Sequence, residues 1–292
     1  MTFRTRFAPS PTGPLHLGHA YSALLAFDMC CAAGGAFLLR VEDIDQTRAR
    51  AQWEAQTYDD LAWLGIKWEP DVLRQSENMA AYNAALQTLW ARGLLYPCGC
   101  NRRDIKAAAT APQEGAPLVG PDGIVYPGTC RHLPKDVNAP LPTGTALRLD
   151  LQKAAHVLPD EITFDEALHP PTGSVSQTIR SIQNLAGDVV LARRDMGTSY
   201  HLSVVLDDAA QGITDVVRGA DLFEATALHV VLQELLDLPT PRYHHHRLIR
   251  DADGKRLAKR DDARAISKYR AEGATPQDIR AMFGLQSKPR AT

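Results

Sequence analysis

The chain has 292 residues, 45% hydrophobic and 23% charged, enough to bury a core without disulfide or metal support. No apolar run approaches the ~18 residues that span a bilayer, and the opening MTFRTRFAPS lacks a signal-peptide apolar region, so a cytoplasmic protein with no membrane partner is expected. A formal charge of −2 excludes a global field attracting nucleic acid, and five cysteines, an odd number, favour free thiols and a metal site over a disulfide framework.

In chain order, residues 3–8 read as a strand, Ala20–Ala33 as a buried helix ended by Gly34 and Gly35, and Ala36–Val41 as a second strand. Strand, helix, strand implies a right-handed crossover in a parallel sheet, with a ligand crevice at the strand C-termini, where the Pro9–Gly18 loop lies. Helical patterns follow at Arg50–Leu64 and Glu77–Gly93. Residues 96–145 then change texture: they are rich in Pro, Gly and Ala, hold three of the five cysteines and show no sustained period, as an insertion would. Further pieces come at Thr178–Leu185, Asp188–Arg193, His201–Leu206 and Ile213–Arg218, the last two read as returning the chain to the sheet. Phe223–Leu236 has helical spacing, and a basic loop and short helical tail close the sequence.

The loop after the first strand concentrates the chemistry. In RTRFAPSPTGPLHLGHA, residues 4–20, a Pro/Gly turn leads into an apolar helix with His16 and His19 three positions apart at its start. A helix N-terminus offers free N–H groups and the positive end of a dipole to phosphate. Two imidazoles on one face add donors, and Gly13 and Gly18 allow close backbone approach. An H-x-x-H pair alone is weak, since structural histidines are the commoner explanation. Near the other end, residues 247–270 hold nine Lys/Arg against four Asp, and DADGKRLAKRDD puts Lys255, Arg256, Lys259 and Arg260 on a short loop that would supply cations to a triphosphate. From charge alone, a solvated helical face explains that run equally well. Together these features point to activation of a carboxylate by ATP.

RFAPSPTGPLHLGHA resembles the His-Ile-Gly-His signature of class I aminoacyl-tRNA synthetases, and specifically their glutamyl branch. Where the second signature of that class has Lys-Met-Ser-Lys-Ser/Arg, this chain has Arg256, Leu257, Ala258, Lys259 and Arg260, which keep the cationic character and lose one hydroxyl. The stretch from Tyr200 to Asp221 is similar to the glutamyl pattern as well, so the resemblance spans about residues 3–262. It implies an α/β, Rossmann-like parallel-sheet catalytic domain in two halves, residues 1–95 and 191–246. Between them it implies an inserted zinc-bearing domain of acceptor type, residues 96–190, and after them an ATP loop with a short C-terminal helical segment, residues 247–292.

The same resemblance carries roles over to positions. Arg6, Phe7, Ala8, Pro9, Ser10, Glu42, Tyr200 and Arg218 fall at glutamate-binding positions, with Glu42 on the ammonium, Arg6 and Arg218 on carboxylates and Tyr200 donating a hydroxyl. A guanidinium facing a neutral amide loses a charge-assisted bond worth about 2–5 kcal/mol, which would reject glutamine. His16, Gly18, His19, Arg256, Lys259 and Arg260 fall at ATP-binding positions, and His16, His19 and Lys259 are assigned to catalysis at the phosphates, with Mg2+ accompanying ATP. Without the resemblance, surface ion pairs of Glu42 with Arg40 or Arg48 and of Arg218 with Asp215 are the plainer reading.

Cys98, Cys100 and Cys130 offer three soft ligands around a 29-residue loop, suited to a closed tetrahedral zinc site that would fold a Pro/Gly-rich insert. His132 is the usual chemical choice for a fourth ligand, whereas the pattern of short glutamyl-branch relatives, Cys-x-Cys with Tyr-x-x-x-Cys, selects Tyr126. Cys30 and Cys31 read as core packing. His244, His245 and His246 suggest a metal triad, but consecutive residues on a strand cannot all face one ion, and they read as the approach to the ATP loop.

A full glutamyl-tRNA synthetase continues beyond the second signature with a large helical anticodon-reading domain, whereas 32 residues follow Arg260 here. Short members of the glutamyl branch attach glutamate to queuosine in the anticodon loop of tRNA(Asp), at a diol hydroxyl that stands in for the terminal ribose. The expected partners are ATP, L-glutamate and queuosine-containing tRNA(Asp), and the chain is expected to act as a monomer. A truncated enzyme charging a tRNA 3′ end and a non-catalytic zinc- and tRNA-binding paralogue stay open at this point.

Overall fold

The computed structural model describes residues 2–109, 119–121, 123–249 and 264–285. The chain begins with β1 (Arg4–Phe7), α1 (Leu17–Ala32), β2 (Ala36–Val41), α2 (Ala51–Trp63), β3 (Leu73–Arg74), α3 (Met79–Ala91) and β4 (Leu95–Cys98). Next come α4 (Arg102–Ala109), the short pair β5 (Val119–Gly120) and β6 (Gly123–Ile124), β7 (Ala146–Leu149), α5 (Leu151–Ala154), β8 (Glu161–Glu166), β9 (Gly173–Thr178) and α6 (Ile179–Ala186). The order closes with β10 (Val190–Ala192), α7 (Tyr200–Ala210), β11 (Asp215–Gly219), α8 (Thr226–Leu235), β12 (Arg242–His246), α9 (Ile266–Ala271) and α10 (Pro276–Phe283).

β1 and β2 run parallel, pairing Arg4 with Ala36 through Phe7 with Leu39, and β2 passes to β3 at Arg40 and Val41. On the other side of β1, Thr214 N donates to Arg4 O at 2.9 Å and Arg4 N to Thr214 Oγ1 at 2.8 Å, which docks β11. β11 is parallel to β12 from Asp215 with Arg242 to Gly219 with His246. The spatial order β3, β2, β1, β11, β12 therefore reverses its progression at β1 and β11, and sheets of this kind bind ligands at such a switch point, beyond the strand C-termini. β8 joins β12 at a single parallel pair, Tyr243 with Glu166, and carries the antiparallel β9, while β4, β7 and β10 form a separate antiparallel sheet.

Side-chain alternation along β2 divides the core. Phe37 and Leu39 face Leu24 of α1, Leu61 of α2 and Phe283 of α10, whereas Leu38 faces the opposite cluster with Leu89, Val205, Val216 and Leu228. Burying each such leucine contributes about 1.5–3 kcal/mol before entropy costs. Gly35 is required where α1 turns into β2: a Cβ there would lie 2.1 Å from Phe3 O, the carbonyl that accepts Ala36 N. Among the described residues no helix is long and apolar enough to cross a membrane.

The expected helices and first strands are present with ends moved by a few residues. Two expectations are overturned, and the first is that His201–Leu206 does not return to the sheet but lies inside α7. Almost every side of that helix is buried, so its apolar residues show no 3.6-residue stripe, and adjacent Val204 and Val205 imitate a strand. The second concerns the cysteines read as core packing: Cys30 is in the core, whereas Cys31 faces away from it in the last turn of α1 and is exposed. The antiparallel hairpin of β8 and β9 adds two strands beyond the expected elements.

Candidate functional site

Beyond the C-terminal ends of β1 and β11 lies a cleft of about 560 Å3. Its lining includes Arg6, Phe7, Ala8, Pro9, Ser10, His16, Gly18, His19, Glu42, Tyr200 and Arg218, so the structure brings together every glutamate-position residue and the first-signature residues expected from the sequence. Lys259, Arg256 and Arg260, with Lys255, lie outside the described residues. The loop leaving β1 is pinned to the end of β2 by Glu42 N donating to Pro9 O at 3.0 Å.

His16 is the N-cap of α1. Its Nδ1 accepts Gly18 N at 3.1 Å, and His19 Nδ1 accepts His16 N at 3.2 Å, a capping box made of two imidazoles whose rings stack 3.8 Å apart. Because each Nδ1 accepts, the proton of each neutral ring sits on Nε2, which is thereby a donor. Gly18 makes this possible, since a Cβ there would stand 3.0 Å from His16 Cε1.

A buried network supports the floor. Arg40 is fully buried on β2 and donates to Asp208 Oδ1 at 2.6 Å and Glu42 Oε1 at 3.1 Å, with Asp207 at 3.8 Å. Asp208 also takes Arg6 Nε at 2.8 Å and Nη2 at 3.2 Å. Burial alone would raise the Asp208 carboxyl, but Arg6 and Arg40 beside it hold it below its usual range. Glu42 is pushed up, by burial first, against the opposing pull of Arg40 and Arg6. Glu42 thus does pair with Arg40, though inside the cleft and not on a surface.

Arg218 does not pair with Asp215, which instead meets His244 Nε2 at 2.8 Å. Its guanidinium donates to His245 Nε2 and His229 Nδ1, both at 3.0 Å, to Thr226 Oγ1 at 2.9 Å and to Leu222 O at 3.4 Å. The three β12 histidines alternate as expected: His245 reaches Arg218, while His244 and His246 face Phe3 and Tyr21 on the other side. Asp207, Asp208, His229 and Glu166 were not singled out from the sequence, and Arg40 only as a surface partner of Glu42. The available signal was a charge inside an apolar run, Arg40 in AFLLRV and the Asp pair after SVVL.

A second cluster lies at the end of β4. The Cys98, Cys100 and Cys130 sulfurs are all within 4.8 Å of one another, and Tyr126 Oη is 3.4 Å from Cys98 Sγ and 3.6 Å from Cys100 Sγ. Tyr126 Oη also accepts Cys130 N at 2.8 Å, and Arg148 lies over its ring at 3.8 Å. Burial opposes ionisation of Cys98, but the Tyr126 hydroxyl and Arg148 outweigh it and lower the thiol below its usual value. His132 is exposed and is not part of this group of ligand atoms.

The family described as tRNA synthetases class I (E and Q), catalytic domain, matches residues 2–288. A protein of Rhodobacter capsulatus named Glutamyl-Q tRNA(Asp) synthetase is 63% identical over 281 residues, covering 96% of this chain and 99% of its own length. One of the same name from Symbiobacterium thermophilum is 41% identical, covering 94% of this chain and 83% of its own. The crystal structure of a glutamate tRNA ligase from Elizabethkingia meningosepticum in complex with its amino acid superposes with TM-score 0.72 at 26% identity, over 94% of this chain. This chain spans 59% of that longer protein. Methionyl-tRNA synthetase of Mycobacterium tuberculosis, at 13% identity and TM-score 0.55, shares the fold.

Proposed function

Because the chain belongs to the class I family of glutamyl and glutaminyl tRNA synthetase catalytic domains, we infer that it activates L-glutamate with ATP and transfers it to the queuosine base of tRNA(Asp). The observation that carries this reading is a single cleft holding an ammonium acceptor, Glu42, a guanidinium bound to neutral acceptors, Arg218, and a histidine-capped helix start.

In this reading Glu42 receives the substrate ammonium, Arg218 a substrate carboxylate, and Tyr200 donates its hydroxyl. An α-carboxylate oxygen of glutamate attacks the α-phosphorus of ATP, the bond to the β-phosphate oxygen breaks, and pyrophosphate leaves. His16 and His19 donate from Nε2 to phosphate oxygens as charge moves toward the leaving group. Lys259, with Arg256 and Arg260, is assigned to the same phosphates on the sequence match. A hydroxyl of the queuosine diol then attacks the glutamyl carbonyl and AMP departs. No protein nucleophile is needed, and holding the reactants in line supplies roughly 7–11 kcal/mol of the barrier reduction. Mg2+ arrives with ATP and neutralises part of its charge.

Cys98, Cys100, Cys130 and Tyr126 are assigned a structural zinc ion within an insert of residues 96–190. Three clustered thiols and a phenol oxygen form a four-donor set of the size a tetrahedral ion takes, and the ion would supply a crosslink without reaction chemistry.

The test is glutamate-dependent ATP–pyrophosphate exchange without tRNA, followed by transfer of labelled glutamate to tRNA(Asp) with and without queuosine. Exchange, and label on the queuosine-containing tRNA alone, are expected. Label at a tRNA 3′ end would instead favour a charging enzyme, and absence of exchange would end the reading.

A further inference from the structure

The guanidinium of Arg218 is held in an unusual way for a buried cation. It is 6% exposed, yet among the described residues no carboxylate touches it. A guanidinium has donors only, so the imidazole nitrogens facing it, His245 Nε2 and His229 Nδ1, must present lone pairs. Each ring's one proton is then on its far nitrogen. His245 Nδ1 donates to Glu166 Oε2 at 2.5 Å, and His229 Nε2 donates to His201 Nδ1 at 3.0 Å. Glu166 is itself fixed, because its Oε1 accepts the backbone N–H groups of Leu168, His169 and His245 at 2.9, 2.8 and 3.0 Å. Its negative charge stays one imidazole away from the arginine.

We propose that His229, His245 and Glu166 are positioning residues that set amino-acid selectivity: they orient Arg218 through neutral acceptors and so leave its charge for a substrate carboxylate. This rests on the reading that Arg218 meets that carboxylate. Arg6, the other cleft-lining guanidinium among the described residues, is paired with Asp208 and cannot offer an equal charge. Burial, and then the charge of Arg218, push both imidazoles toward the neutral form that the geometry requires. A carboxylate in place of either ring would neutralise Arg218 and make the cleft tolerant of the uncharged amide of glutamine.

Two isosteric pairs test this. His229→Asn keeps a neutral acceptor near the Nδ1 position and His229→Asp puts a charged one there; His245→Gln and His245→Glu do the same near Nε2. Exchange kinetics are measured with glutamate and with glutamine, and folding is followed by thermal melting. Wild type, H229N and H245Q should keep similar glutamate KM and the same preference over glutamine. H229D and H245E should raise glutamate KM roughly ten- to hundredfold, with ATP KM unchanged and the preference collapsed. If one charged variant fails to fold, the other pair makes the same comparison. Should both charged variants be so affected, Glu166→Gln is the third measurement. It removes the anion that orients His245 and should raise glutamate KM alone. Equal selectivity within each pair, or a glutamate KM unmoved in E166Q, overturns the inference and leaves the proposed function standing. Loss of exchange in the wild type overturns both.

Discussion

Arg6 and Arg218 carry the same formal charge into one cleft, and their neighbours give them different work. Arg6 spends two nitrogens on Asp208, so Arg6→Ala leaves that buried carboxylate to Arg40 alone. Because Arg40 remains, the expected loss is about 2–3 kcal/mol, below the ~3–5 kcal/mol of a wholly orphaned buried charge, read from denaturant unfolding. Arg218→Ala removes a cation bound to neutral groups and should cost little stability while lowering glutamate-dependent exchange by roughly a hundredfold or more. Wild-type exchange in a folded R218A protein would remove Arg218 from the pocket. At the helix start, Gly18→Ala forces the His16 ring away from Gly18 N, since the added Cβ stands 3.0 Å from Cε1. The expected outcome is a kcat for exchange lowered roughly tenfold at unchanged melting temperature, as for a mispositioned donor.

α2 shows how an element can be legible while its most costly residue is hidden. Its span is readable from apolar spacing, but that pattern treats Asp60 as a surface residue, whereas it is 1% exposed and both carboxylate oxygens lack a partner among the described residues. Burial first, then Asp59, raise the Asp60 carboxyl to about 6, with Arg270 opposing. A raised carboxyl binds its proton more tightly when folded, so its destabilising effect is absent below the ordinary value near 3.8, grows from there to about pH 6, and is full above. Asp60→Asn should therefore raise stability by about 1–3 kcal/mol at pH 7.5 and by almost nothing at pH 3.5, provided both proteins unfold reversibly. A gain independent of pH would mean that packing and not charge is responsible. The same distinction explains the rest of the fold. β1, α1 and β2 are legible because apolar period and glycines agree locally, and the signature loop is legible because its residues are adjacent in the chain. α7 and the Glu166–His245 contact depend on burial from all sides and on partners 79 positions apart, which no local pattern encodes.

At the scale of the whole molecule, the cleft and the cysteine cluster rest on different packing. The cleft is framed by the two large apolar clusters on either face of the parallel sheet, whereas Cys98, Tyr126 and Cys130 form a small cluster of their own with Tyr96. β4 is nevertheless held independently, by its antiparallel pairing with β7 from Leu95 with Leu149 to Cys98 with Ala146 and by Leu95 in the larger core. Loss of the proposed zinc ion should therefore loosen the turns beside Cys98, Cys100 and Cys130 without unfolding the sheet behind them. Cys100→Ser is expected to reduce bound zinc in the purified protein and to speed amide hydrogen exchange across residues 98–109 and 123–132, with the strands β1, β2 and β11 unaffected and glutamate-dependent exchange within about twofold of wild type. Unchanged zinc stoichiometry would defeat the ligand assignment, and a parallel collapse of pyrophosphate exchange would show that the cysteine cluster supports the cleft after all.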